Sequence, residues 1–306
     1  MGLQREIWVN DIQETLWQEN PFMTRISNHS EFVNYKTVHI PQAGADQGVV
    51  KNRTLLPALI NQRVDTELTY NLNEYTINPF LVTNIEELQI NYAKRQSILS
   101  TSMSKLSDVI ANQSLYTWAP TGAAKIIRTT GTADANALAP GATGTRNAIT
   151  LADIAKMRAV LDKDNVPQSG RILLLPSDMY NGQLLAINNI QSALIYGSAI
   201  LPSGTVNRLF GFDIMIRPSS LVYDNSATPV LKAINDEGQV ITPAATDNLA
   251  ALAFHPNFLT HSVGDIKVFY DMDKPEYYGS LFSALVMHGA SKMRLDQKGI
   301  VALVQQ

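Results

Sequence analysis

The longest uninterrupted apolar periodicity in the chain runs from Thr83 to Leu115. Leu88, Tyr92, Leu99, Met103, Leu106 and Ile110 recur at intervals of three, four and seven, which places one continuous stripe on a helix. The opposite face carries Asn91, Lys94, Ser97, Ser104, Lys105, Ser107 and Asp108. Thr83 with Glu86 fits a capping box, Asn84 is an alternative cap, and Glu86 and Glu87 suit the positive end of the helix dipole. At 1.5 Å per residue, a run of about 30 residues makes a rod about 45 Å long. A rod of that length needs a partner to lie along.

Other patterns flank it. From Arg5 to Glu19, Trp8, Ile12 and Leu16 recur every fourth residue beside Ile7 and Trp17, predicting an amphipathic helix that ends before Pro21. Two tryptophans on a short terminal helix with no sequence-adjacent partner suit a neighbouring subunit, since Trp is enriched among interface anchors. Tyr35 to Pro41 and Glu67 to Ile77 alternate as strands do and read as the legs of a long hairpin. Between them lie the small and polar Gly44–Gly48 stretch, Lys51, Arg53 and a brief apolar patch of Leu55, Leu56, Leu59 and Ile60, too short to make a core. Such a hairpin is held by another molecule or stays loose at its tip.

After the long helix, residues 117–147 are rich in Ala, Gly and Thr and read as surface loop with a short strand from Lys125 to Thr129. Thr150 to Asp153 opens a helix with Leu151, Ile154, Ala155, Met157, Val160 and Leu161 on its apolar face. Arg171 to Pro176, Leu209 to Arg217 and Leu249 to Phe254 are continuous apolar runs of the kind buried on both faces of a sheet. Ser177 and Asp178 are expected to cap a helix through Leu185, and Val222 to Thr246 to make an excursion with a small hairpin. The tail, Ile266 to Asp271, Ser280 to Leu295 and Ile300 to Val304, is extended, and the long helix is its expected cover. The fold class is therefore α+β, with an α/β lobe between about 150 and 260.

Composition narrows the function. The 306 residues are 45% hydrophobic, enough for a large core. With 24 Lys+Arg against 27 Asp+Glu, the surface is not one built to hold nucleic acid by bulk attraction. The absence of cysteine excludes disulfides, thiolate metal sites and cysteine nucleophiles. No apolar run reaches the length of a membrane span and no secretory leader is recognisable, so neither membrane insertion nor export is expected.

Catalytic signals are scarce. The histidines are His29, His39, His255, His261 and His288, none at the spacing of paired metal ligands on one helix. Gly141 to Gly144 lacks the Gly-Lys-Ser/Thr ending of a phosphate loop. No nucleophile elbow or dinucleotide fingerprint occurs. Asp271, Asp273 and Glu276 could attract a hard cation, but Lys274 among them reads as a solvated turn. No catalytic, cofactor or metal site is expected.

The order of parts resembles a known family. Arg208-Leu209-Phe210-Gly211-Phe212-Asp213-Ile214 resembles the signature of the axial domain in tailed-phage major capsid proteins of the Hong Kong 97-type coat fold. Ala251-Leu252-Ala253-Phe254-His255 is similar to that family's later core strand, and Pro275-Glu276, Met293-Arg294 and Ile300-Val301-Ala302-Leu303 are similar to its C-terminal strands. The resemblance implies an N-terminal arm (1–34), an extended hairpin loop (35–80), a peripheral domain with the long helix as spine (81–117 and 261–306) and an axial domain (118–260). It implies a self-assembling icosahedral shell of pentamers and hexamers, a portal, separate scaffolding or decoration proteins, and weakly held double-stranded DNA. Trp8, Ile12, Trp17, Gly44, Gly48, Lys51, Arg53, Leu55 and Leu56 are the candidate subunit contacts. Two rivals remain: a nanocompartment shell of the encapsulin type, and an enzyme using the 150–260 lobe.

Overall fold

The computed structural model describes residues 20–42, 49, 51–54, 57, 65–83, 93–187 and 206–306. The predicted arm helix of residues 5–19, with Trp8, Ile12 and Trp17, lies outside them, as do Gly44, Gly48, Leu55, Leu56, Leu88 and Tyr92.

In chain order the elements are helix α1 (Pro21–Arg25), strands β1 (Ser27–Asn28), β2 (Val33–Asn34), β3 (Thr37–Gln42), β4 (Thr66–Asn71), β5 (Asn73–Thr76) and β6 (Phe80–Thr83), then helix α2 (Ala93–Trp118). There follow β7 (Ile126–Arg128), β8 (Ala133–Asp134), β9 (Arg146–Asn147), helix α3 (Leu151–Lys163) and β10 (Arg171–Pro176). The remainder is β11 (Arg208–Leu209), β12 (Phe212–Arg217), β13 (Leu221–Tyr223), β14 (Asn248–Phe254), β15 (Leu259–Lys274), β16 (Gly279–Lys292) and β17 (Ile300–Val304).

Seven strands form the main sheet in the order β11, β12, β10, β14, β17, β7, with β13 also on β14. Alternate residues of its central strands serve opposite faces, as the period of two requires. Leu173, Leu175, Ala251, Ala253, Val301 and Leu303 point to α3, where Ile154, Met157 and Leu161 cover them. Ile172, Leu174, Leu252, Phe254, Ile300 and Val304 point the other way, onto Ala111, Leu115 and Trp118 of α2 and onto Phe22 and Met23 of α1. Burial on both faces is why these strands are apolar without alternation.

Strands β15 and β16 make a long antiparallel ribbon, in register from Leu259↔Lys292 to Lys274↔Gly279 with two bulges. The first half of α2 lies on it: Met103, Leu106 and Ile110 are buried against Ala284 and Val286, with Ile266 and Val268 alongside. The helix thus has the companion its stripe demanded, and its second half continues onto the main sheet. Trp118, fully buried, fixes the crossover by donating its indole N–H to the carbonyls of Thr260 (3.2 Å) and Ser291 (3.1 Å).

Several expectations change. Thr83 ends strand β6 and pairs with Gly279, the first turn of the predicted helix lies outside the described residues, and α2 is described from Ala93, running to Trp118 instead of Leu115. The run from Leu209 to Arg217 is not one strand: Phe210 and Gly211 turn it into the β11–β12 hairpin. Met179–Leu184 is a π-helical turn in which the Asp178 side chain makes no capping bond. β17 joins β14 in the main sheet instead of extending the ribbon. Helix α1 begins at Pro21, whose fixed φ and missing N–H suit a first helical position. The capping box of α3 forms as predicted, Thr150 and Asp153 satisfying each other's backbone N–H groups.

Candidate functional site

The five histidines pack or hydrogen-bond within the fold. His39 pairs with Glu67 at 2.6 Å in the exposed hairpin, and His29 Nδ1 lies 2.8 Å from Thr260 Oγ1. His255 Nδ1 accepts from Asn257 N and its Nε2 donates to the Ser169 carbonyl, at 3.1 Å. His261 and His288 stack at 5.7 Å inside the molecule, where burial lowers their pKa to about 4 and about 3 and keeps both neutral. Asp271 is engaged by Lys274 at 2.8 Å. Among the described residues no group of three or more His, Asp or Glu converges on a metal-sized space. An open depression of about 860 Å³ is lined by Thr130, Asp134, Asn136, Thr150 and Gln183, and the hydroxyls of Thr130 and Thr150 donate to the Asp153 carboxylate at 2.8 Å each.

What the fold holds in place instead are the base of the β3–β4 pair and Asn20, where the described chain begins. The Asn20 side chain donates to Ser107 Oγ on α2 (3.1 Å) and accepts from Arg217 Nε at the end of β12 (3.0 Å). Arg217 is buried, with its guanidinium 5.7 Å from the Phe22 ring centroid, and it reaches the Asp108 carboxylate and the Asn112 side chain on α2. Burial lowers the Arg217 pKa, and Asp108 opposes that shift by stabilising the cation. Ser107 and Asp108, on the face of α2 opposite the apolar stripe, hold Asn20 and Arg217.

The other is the base of the hairpin. β3 and β4 pair from Thr37↔Asn71 to Gln42↔Thr66. The base is not coreless as expected: Val38, Ile40 and Leu72 are buried with Met287 of the ribbon. Leu72 seats against two ribbon glycines, and a Cβ at Gly289 would come 2.8 Å from both Leu72 Cδ2 and the Asn71 carbonyl oxygen. Tyr70 adds a hydroxyl contact to Ser262 at 2.7 Å, and Gln42 donates to the Met293 carbonyl. Beyond this base, Val49, Lys51 and Arg53 are exposed.

Of the spine residues, Met103, Leu106 and Ile110 pack as the stripe predicted; Leu99 lies within α2 with its side chain outside the description. The sequence reading missed Arg217. A lone charged residue closing an apolar strand was the available signal, but its partners are about a hundred residues away in sequence.

Comparison with known proteins follows this geometry. Residues 64–303 match the family model described as phage capsid protein. Among solved structures, the cyanophage Pam1 capsid is similar with a TM-score of 0.62, 10% identity, and coverage of 94% of this chain and 92% of that one. The acidic stable capsid of Helicobacter pylori bacteriophage KHP30 gives 0.59 at 12% identity over 94% and 92%. Mycobacterium phage Che8 gives 0.55 at 17% identity over 92% and 90%. No curated protein matches the chain by sequence.

Proposed function

The chain belongs to the phage capsid protein family, and from that premise we propose that it is the major coat subunit of a tailed-phage head, assembling through pentamers and hexamers into an icosahedral shell around double-stranded DNA. It is a structural protein of the virion with the Hong Kong 97-type fold, and copies of it make up the capsomers.

The observation that carries the reading is the single helix α2 laid across both the ribbon and the main sheet. It joins them into one extended plate, to which Asn20 and the base of the β3–β4 pair are fixed. Surfaces of this kind are completed by neighbours, and repeated heterologous contacts close into rings and shells. By analogy with the family, residues 81–117 and 261–306 are assigned to the peripheral domain, with β17 returning into the sheet of the axial domain (118–260), and residues 1–34 and 35–80 to the arm and extended loop. Trp8, Ile12, Trp17, Gly44, Gly48, Lys51, Arg53, Leu55 and Leu56 are proposed to contact adjacent subunits.

The near-neutral chain suits a container whose wall touches DNA weakly, because a strongly cationic wall would bind phosphate tightly. A portal, and separate scaffolding or decoration proteins, are the proposed heterologous partners, with assembly in the bacterial cytoplasm. No observation favours a compartment for protein cargo. Electron microscopy of the protein expressed with and without its neighbouring phage genes tests the proposal: uniform closed shells support it, and amorphous or monomeric material in both cases contradicts it.

A further inference from the structure

Among the described residues, six other than glycine hold a left-handed backbone: Tyr35, Asn52, Asn165, Phe210, Tyr278 and Gln297. Asparagine tolerates that region. Gln297 is fastened there by its side chain, whose oxygen accepts from the N–H groups of Thr121 and Gly122. The other three are aromatic, and all three are exposed, at 95% for Tyr35, 38% for Phe210 and 78% for Tyr278.

Each also occupies a hairpin tip. Tyr35 is the first of two residues between β2 and β3, in the three-stranded sheet. Phe210 precedes Gly211 between β11 and β12, and both have positive φ, the geometry that favours Asn-Gly. Tyr278 closes the turn between β15 and β16 at the ribbon's far end. Turn chemistry selects Gly, Asn or Asp at such positions. An aromatic ring there strains the backbone, and an exposed ring gains little within its own chain. The fold of the single subunit does not account for the rings of Tyr35 and Tyr278, and it leaves more than a third of Phe210 uncovered.

Beside each ring stands an exposed ion pair: Lys36 with Glu74, Arg208 with Asp213 at 2.8 Å, and Lys274 with Asp271 at 2.8 Å. We propose that Tyr35, Phe210 and Tyr278 are preset anchors that dock onto other copies of this chain in the shell. The inference rests on the coat-subunit reading and goes further by naming the contacts. An apolar centre with a polar rim is the anatomy of a protein interface. None of the three tips has an excess of cations, and Asp271 and Glu276 outnumber Lys274 at the ribbon tip, so phosphate is the wrong ligand. The chain carries the complement itself, in exposed Lys51 and Arg53 beside exposed Val49. Three tips on three different sheets match a subunit that must meet several neighbours, and a left-handed residue fixes the direction of its ring before contact, which lowers the entropy lost on docking.

The test replaces each residue with the one its backbone prefers: Tyr35→Asn, Phe210→Asn and Tyr278→Asn, with Tyr35→Phe, Phe210→Tyr and Tyr278→Phe as ring-retaining controls. Thermal unfolding of the dissociated subunit and light scattering during assembly are read for each. The Asn variants are expected to unfold at the wild-type temperature or above, yet to need about tenfold more protein to assemble, the effect of losing an interface anchor; the controls assemble normally. Asn variants that assemble at the wild-type concentration overturn the proposal. A fall in unfolding temperature that parallels lost assembly also overturns it, because the ring then serves its own subunit. A wild-type protein that never assembles refutes the coat-subunit reading itself.

Discussion

The guanidinium of Arg217, at the end of a core strand, meets the carboxylate of Asp108 on the outer flank of the long helix. The same guanidinium holds Asn20, so one buried cation joins that residue to the main sheet and the spine. Removing it leaves three polar partners behind. Arg217→Met is expected to destabilise the subunit by about 1–3 kcal/mol, the scale of leaving buried hydrogen-bonding groups unsatisfied, because the Asp108 carboxylate is itself half exposed and returns to water. Denaturant unfolding measures the loss, and limited proteolysis near residue 20 should become faster. Unchanged cleavage there would show that the arm is held by other contacts.

Ile110 is fully buried where the helix passes over the ribbon. Ile110→Ala is expected to cost about 2–5 kcal/mol in chemical denaturation, the range for deleting a packed aliphatic side chain. Thr117→Ala, at an exposed position on the same helix, should stay within about 0.5 kcal/mol.

The hairpin base lies so close to the ribbon that Gly289 has no room for a methyl group. In Gly289→Ala the new carbon meets the Asn71 carbonyl, a backbone atom that cannot swing away as a side chain would. The expected penalty is about 1–3 kcal/mol of overpacking strain. Because relief requires the hairpin to tilt, shell yield should fall more steeply than subunit stability. Equal losses in the two assays would count against a fixed hairpin angle.

Acid should weaken the subunit before its carboxylates titrate. His261 and His288 have folded-state pKa values of about 4 and about 3, both below the unfolded value near 6.5. Between those limits the unfolded chain binds more protons, so stability is full above about pH 6.5 and declines as pH falls towards 4. His255, lowered by burial, acts in the same direction. Asp153, whose pKa is also lowered, contributes only at lower pH, as its carboxylate becomes protonated. The variant His288→Phe should flatten the decline between pH 6.5 and 4 in a series of thermal unfolding curves. An unaltered slope would exclude the histidine pair as its source.

The parts legible in the sequence were those whose signal repeats. Met103, Leu106 and Ile110 declared a helical stripe because three turns carried the same message, and Arg171 to Pro176 declared a buried strand by continuous apolarity. Thr150 and Asp153 were legible as a cap because the motif lies within four residues. Phe80-Leu81-Val82-Thr83, a strand-forming run that pairs with Gly279 to Phe282, went unread because the predicted helix was started at Thr83, the last residue of that run. Arg217 and the glycine seat of Leu72 were illegible because their meaning lies in atoms brought together from distant segments. Phe210 breaks the composition rule for its turn, and only the backbone angle reveals that it does.

In the proposed shell this chain is completed only by copies of itself. Native mass spectrometry of the purified protein across a range of concentrations tests that most directly. The expected species are pentamers, hexamers and closed shells, all integral multiples of the 33.7 kDa subunit. A single 33.7 kDa species that persists at every concentration and salt condition, with the phage partners present, would contradict it.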